Sequence, residues 1–96
     1  MLIRIEQWEL QMGPSTGAVV VYTKKDLRGQ RVELWIDISV EHRVYAHVVE
    51  RDGAYAAIFP SVPVGNHAAF QWDRNKIRKR SELTVFAGRA AEVDWR

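Results

Sequence analysis

Apolar and polar residues alternate along much of this chain, most clearly between residues 31 and 39. Every second residue there is apolar: Val32, Leu34, Ile36 and Ile38. Successive side chains of a β-strand point to opposite faces, so this pattern predicts a strand with one apolar face. The alternation returns at 44–49, 55–59, 67–72, 83–87 and 90–95. The β-branched run at 18–22 predicts a strand that is covered on both faces.

Turn-forming residues separate these strands at a spacing of roughly ten residues. Asp52-Gly53 predicts a tight turn inside a hairpin of residues 44–59, and Gly88-Arg89 predicts one inside a hairpin of residues 83–95. The prolines and Gly-Asn of residues 60–66 predict the longest turn region. Short strands at this spacing predict an all-β fold, a two-sheet antiparallel sandwich of seven to eight strands.

The N-terminal residues are less regular than the rest. Their apolar positions change parity along the chain: Ile3 and Ile5, then Trp8, Leu10 and Met12. This change predicts a β-bulge or two short pieces rather than one flat strand. Turn formers at 13–17 predict a flexible joint. We therefore divide the chain into an N-terminal strand or arm, residues 1–16, and a sandwich domain, residues 17–96.

Two stretches resemble segments of a known family. Residues 55–67, Tyr-Ala-Ala-Ile-Phe-Pro-Ser-Val-Pro-Val-Gly-Asn-His, are similar to the aromatic-x-x-x-F-x-x-[LV]-P-x-G-x-Y segment of carboxypeptidase regulatory-like domains and adhesin B-type repeats. Residues 83–95 are similar to the terminal V-x-x-G-x-x-x-x-V hairpin of those domains, and residues 17–29 to their opening strand and turn. The resemblance covers residues 17–95 and implies a prealbumin-like, or immunoglobulin-like, sandwich. Such domains serve as spacers, stalks and interaction modules.

The chain departs from the family's pattern at two places. His67 stands where the family usually carries Tyr, and residues 73–82 are longer and more basic than the usual turn. The Lys, Asn and Glu pattern with which some adhesin repeats form an isopeptide bond has no counterpart in this sequence, so we do not expect that chemistry.

Basic residues are concentrated between positions 74 and 80: Arg74, Lys76, Arg78, Lys79 and Arg80. Only nine of the 14 basic residues lie outside this segment, against 12 acidic ones, so the rest of the chain is net negative. One interpretation is a loop that contacts phosphates or an acidic partner, as in a nucleic-acid or polyanion-binding accessory protein. The other, which we favour, is a solvated hairpin loop whose charges keep a strand edge from pairing.

The residues that could carry chemistry form no recognisable motif. The three histidines, His42, His47 and His67, lack the spacing of metal ligands, and we expect them at the surface or at strand edges. The four serines lack the Gly-x-Ser-x-Gly elbow of hydrolases. We therefore predict a protein that is not an enzyme and has no metal or other cofactor, with a small hydrolase as a distant alternative.

Exposed aromatic and apolar residues predict an interaction surface. Trp35 lies on the polar face of its strand, where the N-terminal arm or another subunit could cover it; the arm would contribute Trp8, Leu10 and Met12. We expect a non-enzymatic interaction or structural module that binds a protein partner or itself as a homodimer, through strand edges or the arm. Nucleic acid is a less favoured partner.

The expected location is the cytoplasm. The sequence has no cysteine, and Arg4 and Glu6 interrupt the apolar stretch that a signal peptide would need. No apolar run approaches the ~18 residues of a membrane-spanning helix.

Overall fold

Strands make up almost all the regular structure in the part of the chain that the computed structural model describes, namely the backbone of residues 2–5, 8–11 and 15–96 and the side chains of residues 15–96. One single-turn 3₁₀ segment, Lys25–Leu27, and one turn with non-helical backbone angles, Ile36–Ile38, interrupt them. The strands are β1 (Leu2–Ile5), β2 (Trp8–Gln11), β3 (Thr16–Thr23), β4 (Arg31–Trp35), β5 (Arg43–His47), β6 (Val49–Arg51), β7 (Ala54–Pro63), β8 (Gly65–Asp73), β9 (Lys76–Val85) and β10 (Ala90–Asp94).

Eight of these strands form two four-stranded sheets. Sheet I has the order β10-β3-β7-β6, and sheet II has the order β5-β4-β8-β9. Neighbouring strands are antiparallel except β3 and β10, which run parallel from the pair Ala90 and Ala18 to the pair Asp94 and Tyr22. The predicted all-β, two-sheet sandwich is therefore confirmed.

The main core lies between the sheets and follows the alternation of the sequence. Sheet I contributes residues such as Val21, Phe59 and Val93, and sheet II contributes residues such as Leu34 and Val85. A second buried cluster lies on the opposite face of sheet I: Ala18, Val20, Tyr22 and Ala56. Strand β3 is therefore buried on both faces, as its unbroken apolar run predicts.

The predicted hairpin of residues 44–59 is wrong in its first half. The turn at Asp52 and Gly53 is present, with φ of 51° and 83°, and it joins β6 to β7. Strand β5, however, pairs with β4 in sheet II. The chain crosses between the sheets at Val48, which is buried and bonded through its N–H to the carbonyl of Gln30 at 2.9 Å.

The predicted hairpin of residues 83–95 is also wrong. Strands β9 and β10 belong to different sheets, because β10 pairs with β3. The connecting turn is fixed on β3: the N–H of Gly88 donates to the carbonyl of Thr16, and the N–H of Ala18 donates to the carbonyl of Arg89, both at 2.9 Å.

Two strand boundaries differ from the predicted ones. The strand predicted over 31–39 ends at Trp35, because Asp37 and Ile38 adopt positive φ values of 55° and 53°. The turn region predicted over 60–66 belongs mostly to β7 and β8. Proline lacks an N–H and is tolerated in a strand at bulges and open edges. The β3–β7 register shifts opposite this part of β7, between Gly17 and Val19, and such a bulge lets the strand contain the two prolines.

Strands β1 and β2 pair only with each other and form a separate two-stranded sheet. Its register pairs Ile3 with Leu10 and Ile5 with Trp8, so these four residues belong to one face. The change of parity in the sequence therefore arises from two antiparallel strands, the second of the two predicted alternatives. Within the described residues, no helix has the length and apolar character needed to cross a membrane.

Candidate functional site

Each sheet has two outer strands, and these differ in how their open edges are protected. Among the described residues, β10 and β6 are the outer strands of sheet I, and β5 and β9 are those of sheet II. An outer strand presents unpaired N–H and C=O groups to any strand that approaches. Proteins usually block such an edge with charged residues, with proline, or by keeping the strand short.

Three of the four edges are protected in these ways. Strand β9 carries most of the basic residues predicted as a contact site. Strand β10 exposes Glu92 and Asp94. Strand β6 has only three residues, and beyond its end the edge of β7 contains Pro60 and Pro63, which lack N–H donors.

The edge of β5 has neither proline nor a run of like charges. The hydrogen bonds that flank its ladder with β4 join the N–H of Ile36 to the carbonyl of His42, and the N–H of Val48 to the carbonyl of Gln30, both at 2.9 Å. Hydrogen-bonded pairs alternate along an antiparallel ladder. The even-numbered residues of β5 therefore bond to β4, and the odd-numbered ones direct their backbone groups to the open edge.

The odd-numbered residues of β5 are Arg43, Tyr45 and His47. The Arg43 guanidinium lies 3.6 Å from the carboxylate of Glu33, which also accepts a 3.0 Å hydrogen bond from the indole N–H of Trp35. The guanidinium of Arg31 lies over the Tyr45 ring, 4.4 Å from its centroid. The strand's own arginine therefore has a carboxylate partner, and the ring of Tyr45 is oriented by a cation from β4.

An apolar groove of about 380 Å³ runs along the same edge. Its lining combines the stretch 58–63 of β7 with Ile36, Val44 and Tyr45. Val44 and Tyr45 are neighbours on β5, so their side chains point to opposite faces of the sheet. Because both of them line the groove, it lies beside the strand's edge rather than on one face. Val44 and Tyr45 are 42% and 47% exposed. Open backbone groups and exposed apolar side chains therefore coincide here.

The turn that leads into β5 is held by a buried histidine. His67 is completely buried, and its Nδ1 accepts a 2.9 Å hydrogen bond from the N–H of Asp37. Its Nε2 lies 2.7 Å from the carbonyl oxygen of Pro63, so Nε2 carries the proton and donates it. The ring thus fixes Asp37 and Ile38 in the left-handed region, which is costly for a β-branched residue. The prediction that His67 lies at the surface or at a strand edge is wrong.

The basic residues predicted as a loop lie mostly on a strand. Only Arg74, with φ of 58°, belongs to the two-residue turn before β9. Arg78 is the extra residue at a bulge, because the register with β8 shifts between Gln71 and Trp72. Arg80 lies 3.5 Å from Glu82 and over the ring of Phe70.

A cleft of about 410 Å³ at one end of the sandwich gathers some of these cations. It is lined by Lys24, Asp26, Leu27, Arg78, Lys79, Trp95 and Arg96. The lining therefore combines four cationic side chains with one acidic side chain and two buried apolar ones. The guanidinium of Arg96 donates to the Asp94 carboxylate at 3.0 Å, and the backbone N–H of Arg96 also donates to it. These two hydrogen bonds, of which the side-chain one has the larger effect, hold the pKa of the Asp94 carboxyl below its ordinary range.

The residues predicted for self-association are only partly described. Trp35 is half-buried, and its ring centroid lies 4.3 Å from that of Phe70 in the same sheet. The side chains of Trp8 and Leu10, and the whole of Met12, lie outside the described residues. Their part in self-association stays a prediction.

Sequence reasoning missed the residues that complete both surfaces. The sequence pattern predicts that Val44 and Tyr45 lie inside a hairpin, and the adjacent valines at 48 and 49 are the one sequence signal that the chain changes sheets there. Lys24 and Arg96 lie far in sequence from the basic segment, and only the parallel pairing of β10 with β3 brings them to the same end of the sandwich.

Among the described residues, no group of three or more His, Asp or Glu side chains is placed to hold a metal ion. Searches of protein-family models, curated proteins and solved structures found no match to this chain.

Proposed function

We propose that this protein is a non-enzymatic interaction module that associates with a second copy of itself through the open edge of β5. The observation that carries the proposal is the coincidence, at one edge, of outward-facing backbone groups and an apolar groove. The resemblance of residues 55–67 to a segment of prealbumin-like modules, which serve as spacers and interaction domains, supports the same class of function.

A second copy fits this edge because β5 is complementary to itself. Most homodimers have two-fold symmetry, in which the same surface faces itself. With the two-fold axis at Tyr45, that residue pairs with its own copy, and Arg43 pairs with His47 of the other chain. All three residues direct their N–H and C=O groups outward, so each of these pairs can exchange both backbone hydrogen bonds.

The alternative edges are less suited to self-pairing. Two antiparallel copies of β9 would bring a strongly basic strand against itself, and two copies of β10 would place Glu92 and Asp94 close to their own copies. Like charges on facing strands destabilise the pairing. On β5 the arginine already has Glu33 as a partner, so joining two copies brings no uncompensated pair of like charges together.

The test introduces one positive charge at the proposed axis. Tyr45→Lys places two ammonium groups opposite each other, and we expect the dimer dissociation constant, measured by analytical ultracentrifugation, to rise at least tenfold. Val49→Lys is the matched control, because Val49 is also 47% exposed but lies on β6. That control should dimerise like the parent chain. Thermal melting at low concentration checks that both variants fold.

Three results would overturn the proposal. The parent chain could be monomeric at the highest concentration attainable. Val49→Lys could weaken the dimer as much as Tyr45→Lys, which would place the contact elsewhere. Deletion of residues 1–12 could abolish the dimer while the deleted chain still folds, which would show exchange of the N-terminal arm.

A further inference from the structure

The cleft at the end of the sandwich has a composition that the β5 edge does not explain. We propose that this cleft binds a compact anion containing two or more linked phosphate groups. Its volume of about 410 Å³ lies within the range of small-ligand sites. The four cations come from three separate parts of the chain: Lys24 after β3, Arg78 and Lys79 on β9, and Arg96 after β10.

The cations of the cleft are only partly neutralised by the protein. Arg78 has Asp26 at 3.3 Å, and both side chains are about half exposed. Arg96 has Asp94 at 3.0 Å, and its guanidinium lies over the ring of Tyr22 at 4.6 Å. Among the described residues, no ion pair involves Lys24 or Lys79.

The separation of these residues along the chain argues that the cleft is more than a solvated strand edge. The charge of a basic edge strand alone would explain Arg78 and Lys79. It does not explain why Lys24 and Arg96, contributed by other segments, line the same concavity. A multiply charged anion in contact with all four would form charge-assisted hydrogen bonds, the strongest class available to surface side chains.

The geometry favours a compact anion over an extended nucleic acid. Single-stranded nucleic acids are bound along a basic groove with aromatic rings on which bases stack. The aromatic residue of the cleft, Trp95, is 92% buried and donates its indole N–H to the Ser81 hydroxyl at 2.9 Å, so it presents no open ring face. Arg80 lies outside the lining and is paired with Glu82. The positive charge is therefore concentrated in one concavity.

The test measures binding of tripolyphosphate by calorimetry at low ionic strength. Lys24→Ala and Lys79→Ala should each weaken binding about tenfold, the value of one charge-assisted contact. Two matched controls are Lys25→Ala, next to Lys24, and Lys76→Ala, on the same strand as Lys79; neither residue lines the cleft. These controls should bind like the parent chain. Affinity should fall as salt is added, because exposed charges are screened.

A substitution with the opposite sign separates binding from folding. Asp26→Asn neutralises the one acidic side chain that lines the cleft and releases Arg78, so it should tighten tripolyphosphate binding several-fold. A purely structural cleft would show no such gain. The proposal is overturned if tripolyphosphate does not bind, if the two control variants lose as much affinity as the cleft variants, or if Asp26→Asn weakens binding.

The source of the phosphates is distinguished by two further probes. A nucleoside triphosphate that binds like tripolyphosphate indicates recognition of the phosphates alone, and tighter binding indicates that the nucleoside also contributes; both outcomes support the site. A single-stranded oligonucleotide that binds more tightly than either compound, and that is weakened by Lys76→Ala, would overturn the compact anion in favour of nucleic acid. None of these variants touches β5, so the dimer should persist in all of them.

Discussion

Replacement of His67 by Phe tests whether the buried imidazole holds the turn before β5. The change removes the acceptor of the Asp37 N–H and the donor to the Pro63 carbonyl. A hydrogen bond contributes about 1 kcal/mol to stability, and a buried group left without a partner costs up to about 3 kcal/mol. Asp37 and Pro63 are exposed residues that water can partly reach, so we expect a total loss of about 2–3 kcal/mol.

The free energy of unfolding, measured by urea denaturation at low protein concentration, provides the magnitude. His67→Asn should lose less than His67→Phe, because its side-chain oxygen can still accept from the Asp37 N–H. Hydrogen exchange at that amide should accelerate in the Phe variant and stay slow in the Asn variant. The exposed His42 is the control, and His42→Phe should change stability by less than about 0.5 kcal/mol. If His67→Phe unfolds with the free energy of the parent chain, the imidazole does not hold this turn.

Two further predictions concern the ends of β3 and β10. A Cβ at Gly17 would lie 2.5 Å from the carbonyl oxygen of Phe86, so Gly17→Ala should lower the free energy of unfolding by about 3 kcal/mol in urea denaturation. Gly29 has a φ of 78° but lies in open space, so Gly29→Ala should cost only about 1 kcal/mol. Equal losses in the two variants would contradict the steric explanation. The pKa of Asp94, followed by carboxyl NMR, should rise towards the ordinary range in Arg96→Ala, because the side-chain hydrogen bond, the larger cause of the lowering, is lost while the backbone N–H of residue 96 still donates. The pKa of Asp94 is lower in the folded than in the unfolded chain, so its interaction with Arg96 stabilises the fold at pH values above the ordinary carboxyl range. This stabilisation is lost as the pH falls through the folded-state pKa. An unchanged pKa of Asp94 in the variant would show that the Arg96 side chain does not lower it.

The fold class could be predicted from the sequence because it depends on alternation, which is local. The pattern of Val32 and Leu34 identifies a strand and its buried face without reference to any other part of the chain. The same is true of the Asp52-Gly53 turn, whose positive φ values are favoured by the residues themselves.

Strand partners could not be predicted, because pairing depends on which sheet each strand enters. Residues 44–59 alternate on both sides of Val48 and Val49, and these two adjacent valines are a weak signal that the chain leaves sheet II there and enters sheet I. Residues 83–95 have the alternation and turn of a hairpin, yet their two strands belong to different sheets. Periodicity reports which side of a strand is buried and carries no information about its neighbour.

The candidate sites, like the fold, could be predicted only in their local features. The basic character of residues 74–80 was visible in the sequence, but its context was not, because β9 replaces the expected loop. At Ile38 the local pattern gives the wrong secondary structure. Its place in the alternation predicts a strand, and the hydrogen bond between the neighbouring Asp37 and the distant His67 selects a left-handed turn instead.

The parallel pairing of β3 with β10 has a consequence for the order of folding. Ala18 contacts its partner Ala90 only after a loop of more than seventy residues has closed, and such distant contacts form slowly. Until then the run of residues 18–22 lacks one of its neighbours, and it contains no charge. Segments of this kind aggregate when exposed, so the yield of refolding should fall as protein concentration rises, even though the folded chain buries residues 18–22.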